Sequence, residues 1–502
     1  MTEDIIIEKP TYIEHIRHFF TPEDKKCMGG LIDLTTYVGV RRSATKIYIT
    51  TKNGFMPKGR PRWSDERVKT FENWIVNECP RGTDKPGTSM PLPPQGLRVR
   101  RNISKLSEKE LFKFKKAFQG ILSKSPNDPQ SYYQLAGIHW LPKPNAYCRH
   151  HENGYNPWHR IYLLKFEDAL RSIEGCEDVT MPYWDIQERE IPEALFEPPF
   201  DKFIYPETLT DLRNQVRAEA GKPTERLSRV EILKSLDDFT VSEDIFEALG
   251  SAWWEKFNGW DSASRSTSGI IRAHDSGHLA CGTTMEDQNV AAFDPIFWFF
   301  HCNWDRLWWQ WQQQHDATSS ESFRTRLPDD GDWLTNPITA NLSPFKKGAT
   351  NDFWQADESI DSHALGVGYE HPTQPEIIER IPLLGNIFAT HMLSVEKTKR
   401  VSVRIKNLDR LKIPGSFSVS LLVDGKTICK KGFFQPTTPA ECRACSEKGL
   451  VSFDFLVTQD ELRGEVSIAV ELLRDGKRRK IPLSTCGDPT LNFRLLIEDL
   501  GM

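Results

Sequence analysis

The stretch from His274 to Trp308, HDSGHLACGTTMEDQNVAAFDPIFWFFHCNWDRLW, constrains this chain more than any other. His274 and His278 stand four apart, and on a helix such a pair projects from one face, where two imidazoles can share a metal ion. His301 follows after a loop, inside a run dense in aromatics. A second group, His139, His150 and His159, lies upstream in GIHWLPKPNAYCRHHENGYNPWHRIYLLKFEDAL. Two groups of three histidines point to a binuclear metal site. Imidazole alone does not choose among copper, zinc, iron and nickel. A zinc hydrolase is disfavoured, because HDSGH lacks the Glu of HExxH and six histidines exceed what one zinc needs.

Composition narrows the remaining classes. The 65 basic and 70 acidic side chains leave a net charge of −5, and no Lys/Arg-rich block stands out, which argues against nucleic acid as a partner. No run approaches the ~18 apolar residues of a membrane span. The start MTEDIIIEKP carries acids and an early proline where a secretion leader would be basic and then apolar, so a cytoplasmic location is expected. Ten cysteines in 502 residues do not resemble a small disulfide scaffold.

The HxxxH pair, the run DPIFWFFHCNWDRLW, and the upstream CxH followed by PWHR resemble the tyrosinase, catechol oxidase and haemocyanin family of type 3 binuclear copper proteins. The likeness is most specific over residues 130–310 and looser to about 395. It implies a mainly α core, a four-helix bundle holding two copper ions, with O2 as co-substrate and a small phenol as substrate. His139, His150 and His159 would hold the first copper, and His274, His278 and His301 the second. The nine-residue step to His159 matches the family spacing and favours His150 over its neighbour His151. By the same resemblance Cys148 would join His150 through a thioether, Phe297 would buttress the histidines, and Asp305 would hold a histidine N–H. Asp275, next to His274, matches a position thought to bias whether a phenol is deprotonated. Two departures stand out. Phe300 replaces a frequent histidine and alters the pocket wall, and Ile270, Ile271 and Arg272 stand near where the family often places a water-ordering Glu. The resemblance therefore implies a tyrosinase, with a catechol or o-aminophenol oxidase, or an O2-carrying haemocyanin-like protein, as alternatives.

Along the chain, residues 1–95 read as a helical extension, with Ser64 as a cap and Val68, Phe71, Trp74 and Ile75 at helical spacing. The dicopper core is expected over 96–395. It begins with a capping box at Ser107 and Glu110, followed by the apolar face Phe114, Phe118 and Ile121. Pro142 and Pro144 predict a loop around His150, and the following helix is expected to begin at His159. The core's closing motif survives as LGVGYE, in which only Tyr369 matches. Residues 396–502 alternate in strand fashion, with Asp-Gly turns in VDGKT and RDGKR, and predict an antiparallel β-sandwich. In the family such a domain is a lid over the coppers in long, latent forms. Phe433 is the expected plug, and Cys442 and Cys445 form a CxxC suited to soft Cu(I) and to copper loading.

Overall fold

A computed structural model describes the chain except for residues 1–4, 78, 81–95, 140–146, 148, 189, 208–219, 262–264, 328–331, 337–338, 349, 371–399, 442, 475, 497–502 and scattered positions between 22 and 61. The boundaries expected at 95 and 395, together with Cys148 and Cys442, lie outside the described residues. Among the described residues no helix is long and apolar enough to cross a membrane.

Local signals start the elements. Helix α1 (Glu108–Leu122) opens where the Ser107 hydroxyl accepts the Glu110 N–H at 3.4 Å and the Glu110 carboxylate accepts the Ser107 N–H at 2.8 Å. Its buried face, Phe114, Ala117, Phe118 and Ile121, lies against the helices that carry histidines. Helix α2 (Tyr155–Arg171) begins four residues before the expected start at His159. Pro157 falls in its first turn, where a missing N–H costs nothing, so the proline does not delay the helix. Helices α3 (Val241–Leu249), α4 (Gly269–Cys281) and α5 (Ile296–Gln314) follow. Every residue of α4 is buried, and α5 is buried on almost all sides, as expected of central helices. Strands β1 (Arg98–Arg100) and β2 (Val367–Tyr369) pair in parallel and tie the two ends of this core together. The N-terminal helices Tyr37–Arg42, Ala44–Lys52 and Asp65–Val76 enclose a separate small core around Ile16, Val40, Phe71 and Trp74.

The C-terminal part is a two-sheet sandwich of β3 (Arg400–Asp409), β4 (Phe417–Val423), β5 (Lys426–Phe433), β6 (Leu450–Thr458), β7 (Val466–Arg474), β8 (Lys477–Ile481) and β9 (Thr490–Leu496). One sheet runs β8-β7-β4-β5 and is antiparallel throughout. Its β4–β5 hairpin turns on Asp424 and Gly425, both at positive φ, as a type I′ turn requires. The other sheet, β9-β3-β6, is not closed on itself. The short core strands Ser266–Thr267 and Trp260–Asp261 extend it, the first of them parallel to β6, so this layer is mixed rather than purely antiparallel.

The sandwich is fastened to the core through β5, which lies along α4. The Gly432 N–H donates to Ser276 Oγ at 3.1 Å, and a Cβ on Gly432 would stand 2.9 Å from the Ser276 Cα, so only glycine permits this approach. Beside it, buried Lys431 donates to both Asp244 oxygens at 2.9 and 3.1 Å and to Thr240 at 2.7 Å. Arg272 of α4 reaches the same carboxylate at 2.6 Å. Lys431→Met should weaken docking by about 3 kcal/mol, the low end for breaking a buried pair, because Asp244 keeps Arg272. Faster protease cleavage between Glu370 and Arg400 would report it. Acid should act in the same direction. Burial opposes the charged Asp244 carboxylate, but Arg272 and Lys431 more than offset this and hold its pKa below the ordinary value. Docking strength is therefore full above the ordinary carboxylate pKa and is lost as pH falls through the docked value.

Candidate metal centre

Helices carry four of the six expected histidines. His274 and His278 lie one turn apart on α4, with ring centroids 4.5 Å apart, and His301 on α5 faces them at 5.1 and 5.4 Å. His159 sits one turn into α2, its ring stacked on His301 at 4.6 Å. His139 lies just beyond the helix Tyr132–Gly137, and His150 lies in the loop before α2. All six rings are buried.

The donor atoms gather in two groups within 4.8 Å, one of His139, His159 and His301, the other of His274, His278 and His301. His301 is thus common to both, and His150 stands beside the first group rather than inside it. The reason is local: the Gln288 carboxamide lies 3.0 Å from His150 Nδ1, and the His150 ring stacks on His274 at 5.4 Å. His151 is no part of either group, since its Nε2 is 2.8 Å from Asp275 Oδ2.

Protonation and tautomer follow from the surroundings. Burial pushes the pKa of all six imidazoles down, to about 3 for His159 and His278, so they are neutral near pH 7. His159 Nδ1 donates to the Tyr155 carbonyl at 2.8 Å, and His278 Nδ1 to the Met285 carbonyl at 2.9 Å. His274 Nδ1 lies 3.0 Å from the Asp275 carboxylate. Because a carbonyl only accepts, His159 and His278 carry their protons on Nδ1 and present Nε2 without a proton, whereas the Asp275 carboxyl beside His274 has its own pKa pushed well up by burial. The Nε2 atoms of His159 and His274 are buried without a hydrogen-bond partner, and that of His278 faces His301 Nε2 at 3.2 Å. An unsatisfied buried nitrogen costs about 1–3 kcal/mol. Converging bare imidazole nitrogens of this kind fit a metal pair.

Phenyl rings line the space. Phe297 lies 4.0 Å from His301 and 4.9 Å from His139, and Phe300 lies 4.8 Å from His278. Gly277 makes room for Phe300, whose ring a Cβ would meet at 2.8 Å. The aromatic over the histidines is Phe434, not the expected Phe433. Phe434 stacks on His278 at 3.9 Å and 12°, and also approaches His150 and His274. Strand alternation explains the shift by one residue. Phe433 points into the sandwich against Phe417 and Phe453, and its other face lies on His151.

Asp305 also differs from expectation. It accepts from Arg160 at 2.6 Å, Arg100 at 3.1 Å and the Tyr369 hydroxyl, so two arginines and the surviving tyrosine of LGVGYE hold it in a buried ion network. Carbonyl and amide groups, at Tyr155, Met285 and Gln288, orient histidines instead. Of the CxxC pair, Cys445 is described: its sulfur is buried 3.1 Å from the Arg410 guanidinium. Sequence reading missed Gln288 and Met285, which carry no motif. The Tyr155 carbonyl could have been found, because it lies four residues before His159 on one helix.

Residues 129–314 match the family model described as the common central domain of tyrosinase. A tyrosinase of Aspergillus oryzae is 24% identical over 451 residues, covering 64% of this chain and 80% of that protein. The fold resembles that of a Burkholderia thailandensis tyrosinase, at TM-score 0.56 and 22% identity over 79% of this chain and 100% of the other. A mushroom tyrosinase solved in latent and active forms superposes at TM-score 0.56 with 18% identity, covering 80% of this chain and 93% of the other.

Proposed function

Because this chain belongs to the tyrosinase family of type 3 copper proteins, we propose that it is a latent polyphenol oxidase. It uses O2 to convert o-diphenols to o-quinones and to hydroxylate monophenols at the ortho position. His139, His150 and His159 would hold one copper ion and His274, His278 and His301 the other, with His301 central to the pair. The observation that carries the reading is the cluster of six buried imidazoles with depressed pKa values, in which His159 and His278 donate Nδ1–H to backbone carbonyls and turn Nε2 towards the shared space.

The two copper ions would supply the electron exchange with O2, so that one O2 oxidises two catechols to two quinones and two waters. The chain's own residues bind, orient and exclude. A phenylalanine ring is a phenol without its hydroxyl, so the stack of Phe434 on His278 marks where a phenolic ring fits once Phe434 leaves. Phe297 and Phe300 wall that space and keep bulk water from it. Asp275, with its carboxylate on His274 Nδ1, fixes that ring's angle.

Gln288→Leu should weaken copper binding by about 10–100-fold in chelator competition, since it removes the carboxamide from His150. The substrate reading is tested by oxygen uptake of the copper-loaded, lid-cleaved chain with a catechol and then the matching monophenol. Uptake with both is expected. Uptake with catechol alone would overturn the monophenol half and leave a catechol oxidase.

A further inference from the structure

We propose that His151, which is not among the six expected ligands, is a positioning residue that orients His274 through Asp275, and that the docked C-terminal sandwich clamps this relay. The proposal rests on the ligand reading above for its consequence, although its geometry stands without a metal.

The relay is short and continuous. His151 Nε2 lies 2.8 Å from Asp275 Oδ2, and Asp275 Oδ1 lies 3.0 Å from His274 Nδ1. One carboxylate thus bridges two imidazoles, and all three groups are buried. His151 reaches this place with a left-handed backbone, at φ 56°, a conformation uncommon in non-glycine residues and held here by its surroundings. Those surroundings come mostly from the sandwich. The Phe433 ring stacks on the His151 ring at 4.4 Å and 17°, and Lys448 donates to the His151 carbonyl at 2.9 Å. On the core side Trp260 lies at 5.6 Å. The same strand end also reaches the carboxylate directly, because the Phe434 backbone hydrogen-bonds to Asp275.

Two consecutive residues of the sandwich therefore do three things. The Phe434 ring fills the cavity, the Phe434 N–H binds Asp275, and the Phe433 ring pins His151. Undocking removes all three together. Asp275 then loses one donor and keeps His151 and His274, while His151 is freed to tilt. Docking thus governs the angle of His274 as well as access to the space above it.

The experiment has two readouts, neither of them activity. In the first, ring-15N NMR of the metal-free chain, labelled at histidine, is compared for wild type, His151→Phe and His151→Gln. His151→Phe keeps a ring under Phe433 but has no N–H to give Asp275, whereas His151→Gln keeps a donor. The His274 Nδ1 signal is expected to shift in His151→Phe and to return towards the wild-type position in His151→Gln. In the second, copper(I) is withdrawn from the loaded chains by a chelator. One of two ions should be held about 10–100-fold less tightly in His151→Phe, with recovery in His151→Gln. An unmoved His274 signal together with wild-type copper retention in His151→Phe would overturn the proposal. If His151→Phe fails to fold, wild type cleaved between Glu370 and Arg400 replaces it, and an unshifted His274 signal on cleavage is the contrary result. A wild-type chain that binds fewer than two copper ions would instead count against the ligand reading, and the metal-free NMR would still decide the relay.

Discussion

His301→Ala is expected to reduce copper-dependent oxidation to background. Among the described residues no other histidine belongs to both donor groups, and the His301 ring is held between His159 at 4.6 Å and Phe297 at 4.0 Å, with Nε2 facing His278 at 3.2 Å. Under the ligand assignment above, His301→Ala removes a ligand of the second copper, while His139, His150 and His159 remain for the first. Copper per chain should accordingly fall from two to about one in His301→Ala. His315→Ala serves as the control for loss of a buried histidine, because His315 packs on Trp311 at the far end of α5 and belongs to neither group. Wild-type oxygen uptake on a catechol by His301→Ala would remove this residue from the site.

Phe434→Ala should switch on the intact, uncleaved chain. Its ring contributes both to the plug and to the docking surface, and truncating a buried phenylalanine costs about 3–5 kcal/mol. If ~3 kcal/mol of that falls on docking, the ratio of closed to open chain drops by about a hundredfold. Even a docked Phe434→Ala lid leaves the face of His278 uncovered. Phe433→Ala has a different signature: it hollows the sandwich between Phe417 and Phe453, lowers the stability of that part, and leaves the Phe434 ring as plug. Oxygen uptake before and after cleavage separates the two. An intact Phe434→Ala chain as silent as wild type would show that the ring does not cause latency.

The sequence made the metal chemistry legible because it is local. The i, i+4 pair His274 and His278, the aromatic run around His301 and the PWHR that opens α2 each sit within one helix. The capping box at Ser107 and the Asp424-Gly425 turn are local signals as well, and both occur as expected. What could not be read depends on contacts between distant segments. Asp305 has an acid's neighbours chosen by tertiary packing, from Arg100, Arg160 and Tyr369, and no spacing in the sequence announces them. The choice between Phe433 and Phe434 turns on the register of one strand, where a shift of one residue reverses every side chain. Lys431 and Asp244 are 187 residues apart, and Gln288 and His150 are 138 apart. Such pairs are ordinary polar residues until the fold buries them together.

The central claim is that two histidine groups hold copper for phenol oxidation beneath a lid that blocks it. It is tested most directly by oxygen uptake on a catechol by one copper-loaded preparation, measured intact and again after cleavage between Glu370 and Arg400, with copper per chain determined in both. The account predicts two copper ions in each sample, little uptake by the intact chain, and a large rise on cleavage. Two bound copper ions with no uptake in either state would contradict it.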